Sequence, residues 1–216
     1  MQQFTVHTGQ AAPLRASDVD TDQIIPVRFL TRLTKAGYGQ DLFADWRDDP
    51  GFVLNRRPYH QATVLVAGKD FGTGSSREAA VYALADYGFR AIIAPRFGDI
   101  FTGNAYQNGL LPVVLPLDTV NALWDLLERS PTSPVTVDLQ RCIVCADGIE
   151  APFTVPADVR SRLLLGQDDI ALTLQHETAI RQYETNRRAA LPTTTRTLSR
   201  SEPRSIPGSG GRPGPR

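Results

Sequence analysis

Cysteine is nearly absent: the 216 residues contain only Cys142 and Cys145. One Cys-x-x-Cys pair without a second cannot complete a four-ligand zinc or iron–sulfur site. In a strand, residues three apart face opposite sides, so a shared metal is awkward there too. Structural thiols are the expectation. Histidine is as scarce: His7, His60 and His176 are scattered, with no metal or triad spacing. No apolar run approaches the ~20 residues that span a bilayer. The N-terminus, Met-Gln-Gln-Phe-Thr-Val, lacks a basic stretch followed by an apolar one, so no signal peptide is expected. Net charge is also absent, but the balance hides an asymmetry. From Arg187 to Arg216 seven arginines stand against Glu202 alone. The tail therefore carries about +6 and the remainder about −6. An acidic body argues against a nucleic-acid groove. A cytoplasmic enzyme or enzyme subunit, with neither nucleic acid nor membrane as partner, is the expectation.

What is present is enough for one domain with a substantial core: 41% hydrophobic and 21% charged residues. Residues 191–216 are rich in Thr, Ser, Pro, Gly and Arg and nearly devoid of apolar side chains. They cannot offset their ordering entropy, so a domain over 1–190 and a disordered basic tail over 191–216 are expected. The middle alternates strand and helix signals. Ala62–Ala67 and Arg90–Ala94 are short continuous apolar runs, as in strands buried on both faces. Leu110–Leu115 reads as a third strand, with Pro112 favouring an edge or a bulge. Helices are expected over Ser76–Tyr87, Phe97–Gln107 and Leu117–Arg129, the last with Asp118 as a cap. The resulting β-α-β-α-β order implies a parallel sheet, hence the α/β class. Val135–Asp138, Arg141–Cys145 and Ala151–Val155 read as a small antiparallel addition, with Asp147-Gly148 as its turn. Terminal helices are expected over Asp158–Leu165 and Thr178–Asn186.

The richest stretch is Gly68-Lys-Asp-Phe-Gly-Thr-Gly-Ser-Ser-Arg-Glu78. It lies between a strand and a helix. Glycines let a backbone turn sharply and approach a ligand. Two hydroxyls and a guanidinium then fall at the helix start, where free N–H groups and the dipole favour an anion. Neither dinucleotide nor phosphate-loop spacing is met. Serine capping, with Glu78 in the cap, remains an alternative. A second cluster is Asp18-Val-Asp20-Thr-Asp22-Gln-Ile-Ile-Pro26. If extended, it would put its three carboxylates on one side. It lacks the glycine and late Glu of a calcium loop, so no metal is expected. A third segment runs from Phe97 to Gly109. Its aromatics look like core, and its amides are either polar contacts or caps.

Taken together, Asp20-Thr-Asp22-Gln-Ile-Ile-Pro26, Gly72-Thr-Gly-Ser-Ser-Arg-Glu78 and Gly103-Asn104…Gly109-Leu-Leu-Pro112 resemble the small subunits of isopropylmalate isomerase, within the aconitase superfamily. Leu42-Phe43-Ala-Asp45-Trp46-Arg47 and Thr173-Leu-Gln-His176 are similar as well, and the likeness covers about residues 1–185. The resemblance implies a swivel-type layered β/β/α domain. It implies the interconversion of 2- and 3-isopropylmalate in leucine biosynthesis by dehydration and rehydration. It also implies a heterodimer or higher assembly with a large subunit that carries a [4Fe–4S] cluster, none being bound by this chain. On the matching motifs it makes Ser75 the base, Arg77 the carboxylate ligand and Asp22 an active-site acid, with Ser76 and Gly74 binding substrate in the same loop. Arg28, Phe29 and Leu30, just after Pro26, combine a cation with apolar side chains and are the expected specificity residues. Related acids such as homoaconitate or methylmalate types stay open, because a methylene discriminates by only ~1–3 kcal/mol. A non-enzymatic anion-binding module also stays open.

Overall fold

A computed structural model describes residues 1–31, 34–75 and 77–188. Its contacts form two compact units, Met1–Gln175 and a second beginning at His176. The expected tail lies outside the described residues.

In the first unit the strands are β1 (Val6–Leu14), β2 (Val64–Ala67), β3 (Ala91–Ala94), β4 (Leu111–Val114), β5 (Pro134–Asp138), β6 (Ile143–Ala146) and β7 (Ile149–Pro152). They form one sheet in the order β4-β3-β2-β1-β5-β6-β7. β1 to β4 are mutually parallel, and β5 to β7 are antiparallel additions. The helices are α1 (Thr21–Ile24), α2 (Ala44–Arg47), α3 (Glu78–Tyr87), α4 (Asp99–Gln107), α5 (Leu117–Arg129), α6 (Ala157–Leu165) and α7 (Asp169–Leu174). The second unit holds α8 (Glu177–Asn186).

β2 and β3 are apolar without a break because both their faces are covered. Leu65 and Ala67 of β2 face a core shared with Ala80, Val81 and Leu84 of α3 and Phe101 of α4. Val64 and Val66 face a second core with Val120, Leu123, Trp124 and Leu127 of α5. The spacing of those four α5 residues gives one apolar stripe. Trp124 Nε1 donates to Val66 O at 2.8 Å, which satisfies its buried N–H. Gly88, at φ +119°, takes the left-handed position that ends α3.

Most expected elements are found, with shifted ends. β4 is indeed an edge strand, so Pro112 costs no ladder bond on its open side. Asp147-Gly148 does turn β6 into β7, with Ala146 paired to Ile149. Three expectations need correction. α3 begins at Glu78, not Ser76, with Arg77 at its N-cap. Asp118 lies in the first turn of α5, whose N-cap is Pro116 and has no side-chain cap. Cys142 sits at φ +54° in the turn before β6 rather than in a strand.

The sequence reading misses β1, the strand that joins the two halves of the sheet. Residues Val6–Gln10 pair antiparallel with β5, and Ala11–Leu14 pair parallel with β2. Its first half is partly exposed and only its second half is buried. Gly9 leaves room there for the Thr63 side chain, whose Oγ1 would lie 2.0 Å from a Cβ. Pro13 falls in the second half, where β5 no longer pairs with β1.

Candidate active site

The loops that leave β1, β2 and β3 all start at the carboxyl ends of parallel strands, the usual place for a ligand in an α/β sheet. They are laced together by backbone hydrogen bonds. On one side of the β2 loop, Asp18 N donates to Lys69 O (2.8 Å), Gly72 N to Val19 O (2.7 Å) and Thr21 N to Thr73 O (3.0 Å). On the other side, Phe71 N donates to Arg96 O (3.1 Å) and Gly98 N to Phe71 O (3.0 Å). Residues 69–73 thus run as the middle line of a three-line extension.

Close packing explains the glycines. Gly72 is at φ +73°, and a Cβ there would lie 2.3 Å from the Phe101 ring. A Cβ on Gly98 would lie 2.5 Å from Gly72 O. Beneath them Phe71 meets Phe101 edge-on at 5.5 Å, and Phe97 stacks on Phe101 at 6.1 Å. An ion pair between buried Asp70 and exposed Arg96 fastens the β2 loop to the β3 loop. The hydrogen bond from Arg96 holds the Asp70 carboxyl below its ordinary range.

This frame borders a half-open cavity of about 280 Å³, lined by Thr21, Gly72–Ser75, Arg77 and the start of α4, Gly98–Phe101. Ser75 is exposed on its wall. Gly74 stands beside it at φ +86°, where a Cβ would press on Asp20 Cβ at 3.2 Å. The Arg77 side chain is only 23% exposed and forms an ion pair with Asp22. Glu78 closes no capping box. Its carboxylate accepts from Asn108 Nδ2 at 2.9 Å and lies 3.8 Å from Lys35 Nζ. The Asn108 bond leads the causes that keep its pKa below the ordinary value.

The three aspartates do not form an extended acidic row. Asp18 is left-handed at φ +56°. Asp20 caps α1: Gln23 N donates to Asp20 Oδ1 and Asp20 N donates to Gln23 Oε1, both at 2.8 Å. Asp22 follows on α1 and reaches Arg77. Among the described residues no group of three or more His, Cys, Asp or Glu is placed to hold a metal.

Comparison with known proteins fits this geometry. A family model described as the aconitase C-terminal domain matches residues 1–118, more than half of the chain. Another, for the C-terminal domain of the 3-isopropylmalate dehydratase small subunit, matches residues 169–197. The small subunit of that dehydratase from Kineococcus radiotolerans is 56% identical over 195 residues, 90% of this chain and 97% of the relative. The one from Streptomyces coelicolor is 55% identical over 194 residues, 90% and 98% of the two chains. The chain belongs to the 3-isopropylmalate dehydratase small-subunit family. It is thus part of a hydro-lyase of leucine biosynthesis, built on the aconitase C-terminal domain fold. A crystal structure of 3-isopropylmalate dehydratase from Methanocaldococcus jannaschii is similar at a TM-score of 0.60 and 27% identity, covering 83% of this chain and 99% of that one.

Within this dehydratase fold the expected site residues separate into two groups. Ser75, Gly74 and Arg77 share the cavity wall, and Asp22 joins them through Arg77. Ser76 lies outside the described residues. Arg28, Phe29 and Leu30 do not line the cavity. Arg28 and Phe29 belong to a 3₁₀ turn, Val27–Phe29. The Arg28 guanidinium lies 4.6 Å above the Phe29 ring and pairs with Asp45. Phe29 and Leu30 pack on the core. The sequence reading gives no site role to Thr21, Asp70 or the start of α4, Gly98–Phe101. Thr21 and Asp70 are the only buried polar or charged residues among those described. That Thr21 lies between two candidate aspartates is the available signal. Asp70 stands in the glycine-rich stretch and the α4 start in the third segment, but nothing in the sequence singles out either for the site. The late start of α3 also leaves Ser75 three residues ahead of the first helical residue, outside the first turn of that helix.

No helix among the described residues is long and apolar enough to cross a membrane.

Proposed function

We propose that this chain supplies the proton-transfer and carboxylate-binding half of an isopropylmalate isomerase site, completed by a large subunit. The observation that carries this reading is the shared cavity wall of Ser75 and Arg77, with Asp22 on the guanidinium. Ser75 Oγ takes the proton from the carbon next to a substrate carboxylate during dehydration and returns one during rehydration. A free serine hydroxyl is a weak base. It becomes competent where adjacent positive groups stabilise its anion and water is excluded. Proton removal places charge on the neighbouring carboxylate. A guanidinium holds that group through two parallel hydrogen bonds. Asp22 pairs with Arg77, which also lines the cavity, and so tethers the guanidinium at its wall.

This chain's thiols do not fit an iron–sulfur cluster: Cys142 Sγ is directed at Leu139 O (3.4 Å), and Cys145 at Glu150 (3.9 Å). A [4Fe–4S] cluster, expected on the large subunit, would supply Lewis acidity there. The test is reconstitution with that subunit. Ser75→Ala is expected to lower kcat at least about 10³-fold while the two proteins still assemble. Turnover of the mutant complex within a few-fold of wild type would remove Ser75 from this role, and activity of the isolated chain without iron would overturn the division of labour.

A further inference from the structure

Thr21 is 2% exposed, yet it opens α1 at the wall of a cavity. A buried hydroxyl demands a partner. Thr21 Oγ1 donates to Ser75 O at 2.8 Å. Its backbone N–H donates to Thr73 O at 3.0 Å. One residue therefore grips the serine loop at two carbonyls, on either side of Gly74. The grip is needed because Gly74 is at φ +86° and exposed, so the segment has neither a stiff backbone nor burial to hold it. The turn that carries Thr21 is itself fixed by the reciprocal Asp20–Gln23 cap. The next residue along, Asp22, pairs with Arg77. A single helical turn thus holds Ser75 by its carbonyl and Arg77 by its side chain.

We infer that Thr21 is a positioning residue for the reaction: its hydroxyl fixes Ser75 relative to Arg77 by binding the Ser75 carbonyl. This rests on the assignment of Ser75 as the proton acceptor. The effect belongs to turnover more than to binding. The carboxylate ligand Arg77 keeps its own tether to Asp22, whereas the serine loop loses one of its two bonds to Thr21, the one at Ser75. A misplacement of about 1 Å at a reacting group costs on the order of 10²-fold in rate.

The test uses the reconstituted two-subunit enzyme with 3-isopropylmalate as substrate. Thr21→Val keeps the shape and removes the hydroxyl. Its kcat is expected to fall about 10–100-fold with KM within about threefold. Thr21→Ser, which retains the hydroxyl, is expected to return kcat to within about threefold of wild type. If Thr21→Val does not assemble, the pair Thr21→Ser and Thr21→Ala decides, since both are smaller than threonine: Ala at least tenfold slower than Ser supports the inference, and equal rates overturn it. Loss of assembly by Val and Ala alike, with Ser intact, also overturns it, because the hydroxyl would then serve folding or docking. Ser75→Ala in the same assay separates the two levels. An active Ser75→Ala enzyme defeats the serine assignment. An inactive Ser75→Ala beside a fully active Thr21→Val defeats only the clamp.

Discussion

Two stretches of this chain are expected from sequence to touch substrate, and they are held by different forces. The loop after β2 is laced on both sides by main-chain hydrogen bonds over residues 69–73, carries two glycines at positive φ, and sits on stacked phenylalanines. The turn Val27–Phe29 has no side-chain cap, and its cation is neutralised on the surface by Asp45. Buried backbone pairing fixes atoms closely, because each unmade bond would cost about 1–3 kcal/mol. Exposed ion pairs are worth little and are screened by salt. Chemistry that needs a hydroxyl and a guanidinium in register is found on the first kind of scaffold.

The sharpest way to break the comparison is at Arg77. Lysine keeps the charge but loses the planar fork, so it cannot hold Asp22 and a carboxylate through parallel bonds. Arg77→Lys is expected to lower kcat/KM about 10²–10³-fold in the reconstituted enzyme, measured by steady-state kinetics. A loss under fivefold would show that the loop presents only positive charge.

Gly72 tests the packing beneath the same loop. Alanine there meets both a left-handed φ and the Phe101 ring at 2.3 Å. Strain and overpacking together are expected to cost about 2–4 kcal/mol in denaturant unfolding. A cost below about 1 kcal/mol would mean that the loop is as yielding as the turn after Pro26.

Legibility in the sequence follows the same divide. β2, β3, β4, α3, α4 and α5 are readable because burial and helical spacing leave apolar patterns. β1 is not, since half of it is partly exposed and it contains Gly9 and Pro13. Residues 39–61 are unreadable for another reason. Their buried side chains, such as Leu42, Phe43, Val53 and Leu54, sit in turns too short to show a period. Ser75, Arg77 and Asp22 emerge through motif resemblance, and they lie together in the fold. Arg28 is inferred from proximity to Pro26 and chemical suitability, and neither property fixes where a side chain points. Asp70 escapes notice because a lone aspartate in a glycine-rich loop looks like an ordinary turn residue until its burial is known.

Asp70 gives a smaller, pH-dependent handle on the loop's fastening. Arg96 holds its carboxyl below the ordinary value in the folded chain. A depressed folded pKa contributes stability above the unfolded pKa, near 4, and that contribution fades as pH falls through the folded pKa. Unfolding followed between about pH 6 and 3 should show Asp70→Asn losing stability at the upper end and converging with wild type at the lower end. Parallel curves would mean that the Asp70–Arg96 pair contributes nothing across this range.

The smallest effect is expected at Arg28. Its guanidinium is exposed, paired with Asp45 and stacked over Phe29, and no part of it reaches the cavity wall. Opposing solvation and salt leave such a pair nearly neutral in energy. Arg28→Ala should therefore leave kcat and KM of the reconstituted enzyme within about threefold, and raising the salt concentration should mimic the change in wild type. A tenfold rise in KM with unchanged kcat would reverse this. It would mean that Arg28 leaves Asp45 when the large subunit and substrate are in place, and that the turn after Pro26 reads substrate by moving, whereas the serine loop acts by staying still.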